Sequence, residues 1–128
     1  MTRRKVCSSF VLLCLISLSG CAVRTIHPGA ANTFDSDAYD SLLVQDNVIQ
    51  STKADLTNGV FPANIVQNVK LALNILIEAY NAEDIAYKAY HAAAIAGQPT
   101  ATLQADLQTK QVAANNAVSS LASAKVTK

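Results

Sequence analysis

Between Pro62 and Gly97 nothing interrupts a helix, and on a helical wheel the apolar residues of this stretch cover about two-thirds of the circumference. Such a helix runs about 50 Å at 1.5 Å per residue. One sector holds the larger groups Val66, Val69, Leu73, Leu76, Tyr80 and Tyr87. The neighbouring sector is mostly small: Ala72, Ile75, Ala79, Ala82, Ala86, Ala89 and Ala93. Lys70, Asn74, Glu78, Asn81 and Lys88 fill the remaining strip, and these charges exclude a transmembrane reading. An apolar arc this wide predicts a helix that touches two others, with the alanine sector letting one neighbour approach closely.

The flanking sequence supplies the two partners. Asn32 or Thr33 can cap a helix whose first turns carry Asp35 and Asp37, where the helix dipole favours acids. Phe34, Ala38, Leu42, Gln45, Ile49, Thr52 and Leu56 then recur at steps of three or four as one stripe, and Asn58-Gly59 closes the helix. Pro62 suits a first helical residue. After "GQPT" at 97–100, Leu103, Leu107, Ala114, Ala117, Val118 and Leu121 share a face. Asp84/Lys88 and Asp106/Lys110 add acid-before-base pairs at i, i+4. With only 5% aromatics, no Trp and an alanine-rich apolar fraction, composition favours helix over sheet. The prediction is an all-α, antiparallel up-down-up three-helix bundle with helices over about 33–57, 62–96 and 100–125. Its alternative is a long helical hairpin from which helix 1 stands apart.

The N-terminus follows a different grammar. Met1 to Lys5 is basic, and Val6 to Ser19 is apolar or small, densest over Val11-Leu12-Leu13-Cys14-Leu15-Ile16. That core falls short of the roughly 20 residues a spanning helix needs. It reads as a secretory signal, against the alternative of an anchor helix that stops early. Leu18-Ser19-Gly20-Cys21 resembles the lipobox of bacterial lipoproteins, a Leu, two small residues and a Cys. The resemblance covers the first 21 residues. It implies cleavage between Gly20 and Cys21, acyl chains on Cys21, and a membrane held through them. In Gram-negative members an Asp after the Cys retains the protein at the inner membrane. Ala22 stands there, so the resemblance implies the outer membrane, facing the periplasm. The expected organisation is a signal peptide over 1–20, a flexible tether over 21–32 with no periodicity around His27-Pro28-Gly29, and a bundle domain over 33–128.

Charge and cysteine usage sort along that division. Of ten basic residues, Arg3, Arg4 and Lys5 lie in the signal, so the formal charge of +1 becomes roughly −2 for the rest. No basic stripe remains, and nucleic-acid binding loses its electrostatic footprint. Cys7 and Cys14 fall in the apolar run. Cys21 alone can form neither an internal disulfide nor a cysteine metal cage.

One stretch breaks the bundle's pattern: "YNAEDIAYKAYH", residues 80–91. Glu83 falls within the apolar arc, with Tyr80 at i−3, Tyr87 at i+4 and Tyr90 at i+7. Asp84 and His91 sit at its edge. The cluster could bind a metal or small ligand, or give Glu83 a raised pKa. The plainer account is a core carboxylate satisfied by tyrosine hydroxyls, or one pointing out through a gap. One His and two acids on a single helix make a poor metal site, and helices 1 and 3 offer no further His. His27 reads as a solvated tether residue. "FDSDAYD" lacks the third oxygen position, the Gly and the closing Glu of a calcium loop, and reads as a solvated helix start. No Ser/His/Asp or Cys/His set, haem-attachment motif or phosphate-cradling glycine loop is present.

The expected function is therefore a non-enzymatic, lipid-anchored envelope protein without a cofactor, acting as a structural or protein-interaction module. Tyr39, Leu43 and Val112 lie off the predicted core faces and are candidate contacts to a partner or a second copy. A second expectation is a link to peptidoglycan through Lys128, because the helical murein lipoprotein likewise carries a lipid at one end and a wall-linked terminal lysine at the other. A third is a ligand carrier or enzyme using the Glu83 cluster.

Overall fold

Asn32 opens the first helix by geometry the sequence specifies. Its backbone is extended and its Oδ1 accepts the Asp35 amide at 2.9 Å, an N-cap bond. In the computed structural model, which describes residues 26–126, three helices follow: α1 over Thr33–Thr57, α2 over Ala63–Ile95 and α3 over Ala101–Ala124. The signal segment, Gly20, Cys21 and Lys128 lie outside the described residues.

Both turns close in the same way. After α1 the Val60 amide reaches Asp55 O at 3.0 Å and the Gly59 amide reaches Leu56 O at 3.4 Å, with Gly59 at φ +67°. After α2 the Gln98 and Gly97 amides make the matching bonds to Ala93 O and Ala94 O at 2.9 and 3.2 Å. These paired bonds form a Schellman motif, whose left-handed residue favours glycine. They satisfy terminal carbonyls while reversing the chain. The predicted boundaries hold to within one residue. Pro62 and Thr100 stand just before their helices as N-caps, and neither makes a side-chain capping bond.

Short links and pairwise contact among all three helices give the three-helix bundle, so helix 1 does not stand apart. The packing is uneven: α2 lies most extensively on α3, less on α1, and α1 meets α3 least. Ala72, Ala86 and Ala93 of α2 and Ala114 and Ala117 of α3 are buried, in keeping with close approach through small residues. The core forms two clusters. One joins Ile49, Ile65, Val69, Leu73, Leu76 and Leu121 beside the α1–α2 turn. The other joins Ala38, Ala86, Tyr90 and Leu107 at the opposite end, with Phe34 edge-on to Tyr90 at 5.0 Å between ring centroids.

The stripe read on α1 is the buried face: Ala38, Leu42, Gln45, Ile49 and Thr52 are closed off, and Phe34 and Leu56 are half-buried. On α3, Leu107, Ala114, Ala117 and Leu121 are buried, flanked by half-buried Leu103 and Val118. On α2 the buried sector is narrower than the helical wheel predicts. Ile75 and Ala89 face solvent, because they lie beyond the arc that α1 and α3 cover, while Ile65 joins the core instead. Tyr39, Leu43 and Val112 are exposed, as their positions off the core faces predict.

Candidate functional site

The polar residues singled out in the sequence separate into two sites on the α1–α2 seam, one at mid-bundle and one where α1 begins. At mid-bundle Glu83 is fully buried, and its Oε2 accepts a 2.6 Å hydrogen bond from Gln45 Nε2 of α1. Gln45 Nε2 also reaches Ser41 Oγ at 3.1 Å. The expectation of tyrosine partners is corrected: the partner is an amide on the facing helix. Tyr80 and Tyr87 are half-buried near the α2 surface, and Tyr90 turns towards the start of α1. Burial pushes the Glu83 carboxyl above the ordinary carboxylate range, opposed first by the Gln45 hydrogen bond and then by the nearby polar groups of Ser41 and Gln111. Asp84 takes no part. It sits at the helix edge and pairs with Lys88 at 2.6 Å, which raises the Lys88 ammonium pKa.

The second site joins His91 and Tyr90 of the predicted cluster to Asp35 and His27, which the sequence places in solvent. Asp35 is fully buried rather than part of a solvated helix start. Its Oδ2 accepts the Ala31 amide at 2.7 Å and stands 2.7 Å from His91 Nδ1 of α2. Beside it Asn32 Nδ2 donates to the Tyr90 hydroxyl at 3.0 Å. Residues 26–32, read as part of a flexible tether, are fastened to this end of the bundle. The His27 amide donates to Ser36 Oγ at 3.0 Å, and His27 Nε2 lies 2.6 Å from Asp40 Oδ1. The His27 ring sits edge-on to Tyr39 at 4.8 Å. His27 O accepts the Ala30 amide across Pro28-Gly29, with Gly29 at φ +91°, a type II turn. The "HPGA" sequence carries that signature, so the ordered turn was readable although its docking partners were not.

Between this turn and the helices lies a cavity of about 270 Å³, lined by His27, Pro28, Gly29, Ala30, Tyr39, Tyr87 and His91. Tyr87 stacks on His91 at 5.6 Å and leans on Tyr39 at 6.2 Å, so the wall is a run of four rings. Burial raises the Tyr87 hydroxyl pKa, with Asp35 adding to it, and burial followed by Asp46 and Asp84 raises that of Tyr80. Glu83 is not in the cavity wall. Among the described residues no group of three His, Cys, Asp or Glu side chains is placed to hold a metal ion. Each imidazole stands within hydrogen-bond distance of a carboxylate, His27 at Asp40 and His91 at Asp35. What the arrangement does is hold: Asn32, Asp35 and Gln45 reach across to α2, and His27 and Ala31 fasten the leading segment to α1 through three further contacts.

No family model, curated protein or solved structure matches this chain. Among the described residues no helix is long and apolar enough to cross a membrane.

Proposed function

We propose that the chain is a lipid-anchored protein of the bacterial envelope, acylated at Cys21, whose bundle serves as a non-enzymatic structural or interaction module. The observation that carries this reading is Leu18-Ser19-Gly20-Cys21 at the end of a basic and then short apolar segment. Ala22, rather than Asp, favours the outer membrane and a periplasm-facing bundle. The docked turn at His27 supports a short leash. Only residues 22–25 separate Cys21 from Ile26, a reach of at most about 20 Å. The bundle end bearing His27, Tyr87 and His91 would then face the lipid, and the α1–α2 turn would lie a helix length away.

Acyl labelling of intact cells tests the anchor: the protein takes up label and fractionates with membranes, and a Cys21→Ala variant does neither. Cross-linking in intact cells tests the module, which should be captured with an envelope protein or with itself. A specific placement also favours a wall link as a second reading. The end of α3 lies at the end of the bundle opposite His27, which supports a peptidoglycan link through the C-terminal segment. Complete extraction by detergent without wall digestion, and no muropeptide on Lys128, would exclude it.

A further inference from the structure

Gln45 and Glu83 meet between the two core clusters, and each leaves one oxygen without a partner. Glu83 Oε1 and Gln45 Oε1 are both buried and accept nothing. The two side chains are already joined through their other atoms, Gln45 Nε2 donating to Glu83 Oε2 at 2.6 Å. As a carboxylate, Glu83 would bring two starved acceptors together at a site where a buried unsatisfied polar atom costs about 1–3 kcal/mol. It would also carry a buried charge with no counter-ion. α1 offers it Gln45 and Ser41, and α3 offers Gln111, all of them neutral. On α2 its titratable neighbour is Tyr80, itself an acid, while Lys88 is committed to Asp84.

One proton removes both defects. On Glu83 Oε1 it turns an acceptor without a partner into a donor, and the unpartnered acceptor Gln45 Oε1 belongs to the side chain already bonded to Glu83. We infer that Glu83 is a neutral carboxylic acid in the folded protein, and that its proton is the latch holding α1 on the α2–α3 hairpin. The raised pKa that burial gives this carboxyl agrees with the geometry.

Why the latch acts on α1 follows from how each helix is held. The α2–α3 seam is alanine-lined and the most extensive in the bundle. The contribution of α1 to the two core clusters is smaller, with Ala38 and Ile49 its fully buried members. Polar contacts carry a larger share of its docking: Asn32–Tyr90 and Asp35–His91 at one end, Gln45–Glu83 in the middle. Loss of the Glu83 proton places an unpaired charge at that middle point. Water reaches it most easily by displacement of α1, which covers the site and is the least packed of the three. The bundle then loosens towards a hairpin with α1 released.

The chain has two glutamates, Glu78 and Glu83, and Glu78 is exposed. The full chain in detergent, labelled with carbon-13 at glutamate carboxyls, therefore gives two signals that can be followed by NMR against pH. Glu78 should ionise in the ordinary carboxylate range, with Glu83 still in its protonated position when that transition is complete. Two signals that titrate together would overturn the inference. Hydrogen exchange tests the latch. As pH rises through the Glu83 transition, protection of α1 amides should fall while α2 and α3 keep theirs. In Glu83→Gln the amide N–H replaces the acid O–H, so α1 protection should stay flat over the same range. Loss from all three helices together, an unchanged α1 loss in E83Q, or failure of E83Q to fold would each count against it.

Discussion

The His91 ring of α2 stands 2.7 Å from Asp35 Oδ2, and the same oxygen takes the Ala31 amide at 2.7 Å. One buried carboxylate thus fastens both the neighbouring helix and the segment leading into α1. It lies in the first turn of α1, where unpaired amides and the helix dipole favour a negative charge. The site combines a position any acid would favour with two partners that only the assembled bundle provides.

Replacing Asp35 should therefore cost more than losing a helix-start acid, which is worth 1 kcal/mol or less. Asp35→Ala removes both hydrogen bonds and strands the Ala31 amide, a loss on the order of 3 kcal/mol. Asp35→Asn keeps one acceptor oxygen and should lose less. Urea unfolding of both variants measures the difference. Equal, sub-kilocalorie effects would mean that the acid acts through the dipole alone.

Two adjacent residues on α2 separate core from surface. Leu76 is fully buried among Val69, Leu73 and Leu121, whereas Ile75 is 57% exposed. Leu76→Ala should destabilise by about 2–5 kcal/mol through lost burial and the cavity left behind. Ile75→Ala should stay within about 0.5 kcal/mol. Thermal melts resolve these values, since each kcal/mol moves the midpoint of a domain this size by about 4–8 °C. A large effect at Ile75 would show that the stripe holding it is covered.

The fold was legible because local signals and periodicity agree at nearly every position. Asn32, Gly59 and Gly97 mark helix ends by their own backbone chemistry, and the α1 stripe from Phe34 to Leu56 needs only a helical wheel. Width was harder to read. The apolar arc of α2 exceeds what two neighbours cover, and composition does not say whether Ile75 or Ile65 loses its place. The polar contacts were half legible. Glu83 announced itself as a charge in an apolar arc, and Gln45 appeared on the buried stripe of α1. Their pairing depends on the register between helices, which neither periodicity carries. Asp35 and His27 were misread for a related reason. A helix-start acid and a histidine before Pro-Gly are usually solvated, and only the fold brings His91 and Asp40 to them.

Gly59 isolates a pure backbone effect. Its φ of +67° is one that L-residues rarely adopt, yet a Cβ built there meets no atom within 4 Å. Gly59→Ala should therefore cost about 1–2 kcal/mol from conformation alone, with no steric contribution. Gly59→Asn should cost less, because Asn tolerates the left-handed region better. Denaturant midpoints of the two variants give the comparison. An alanine as stable as glycine would mean that the turn relaxes out of the Schellman geometry.

The pH dependence of stability carries a sign fixed by burial. Burial places the folded-state pKa of Glu83 above its ordinary value of 4.5, so the native protein binds that proton more tightly than the unfolded chain. Stability from this group is fully present below pH 4.5 and is lost as pH rises through the folded-state pKa. A buried, salt-bridged carboxylate would give the opposite slope. Tyr80 and Tyr87 act in the same direction at higher pH. Burial raises both above 10.0, so they add a further loss only in the alkaline range. Urea midpoints measured from pH 4 upward should therefore contain a falling component that Glu83→Gln removes. A wild type and an E83Q variant with parallel curves would show that Glu83 ionises at the same pH in the folded and unfolded chains.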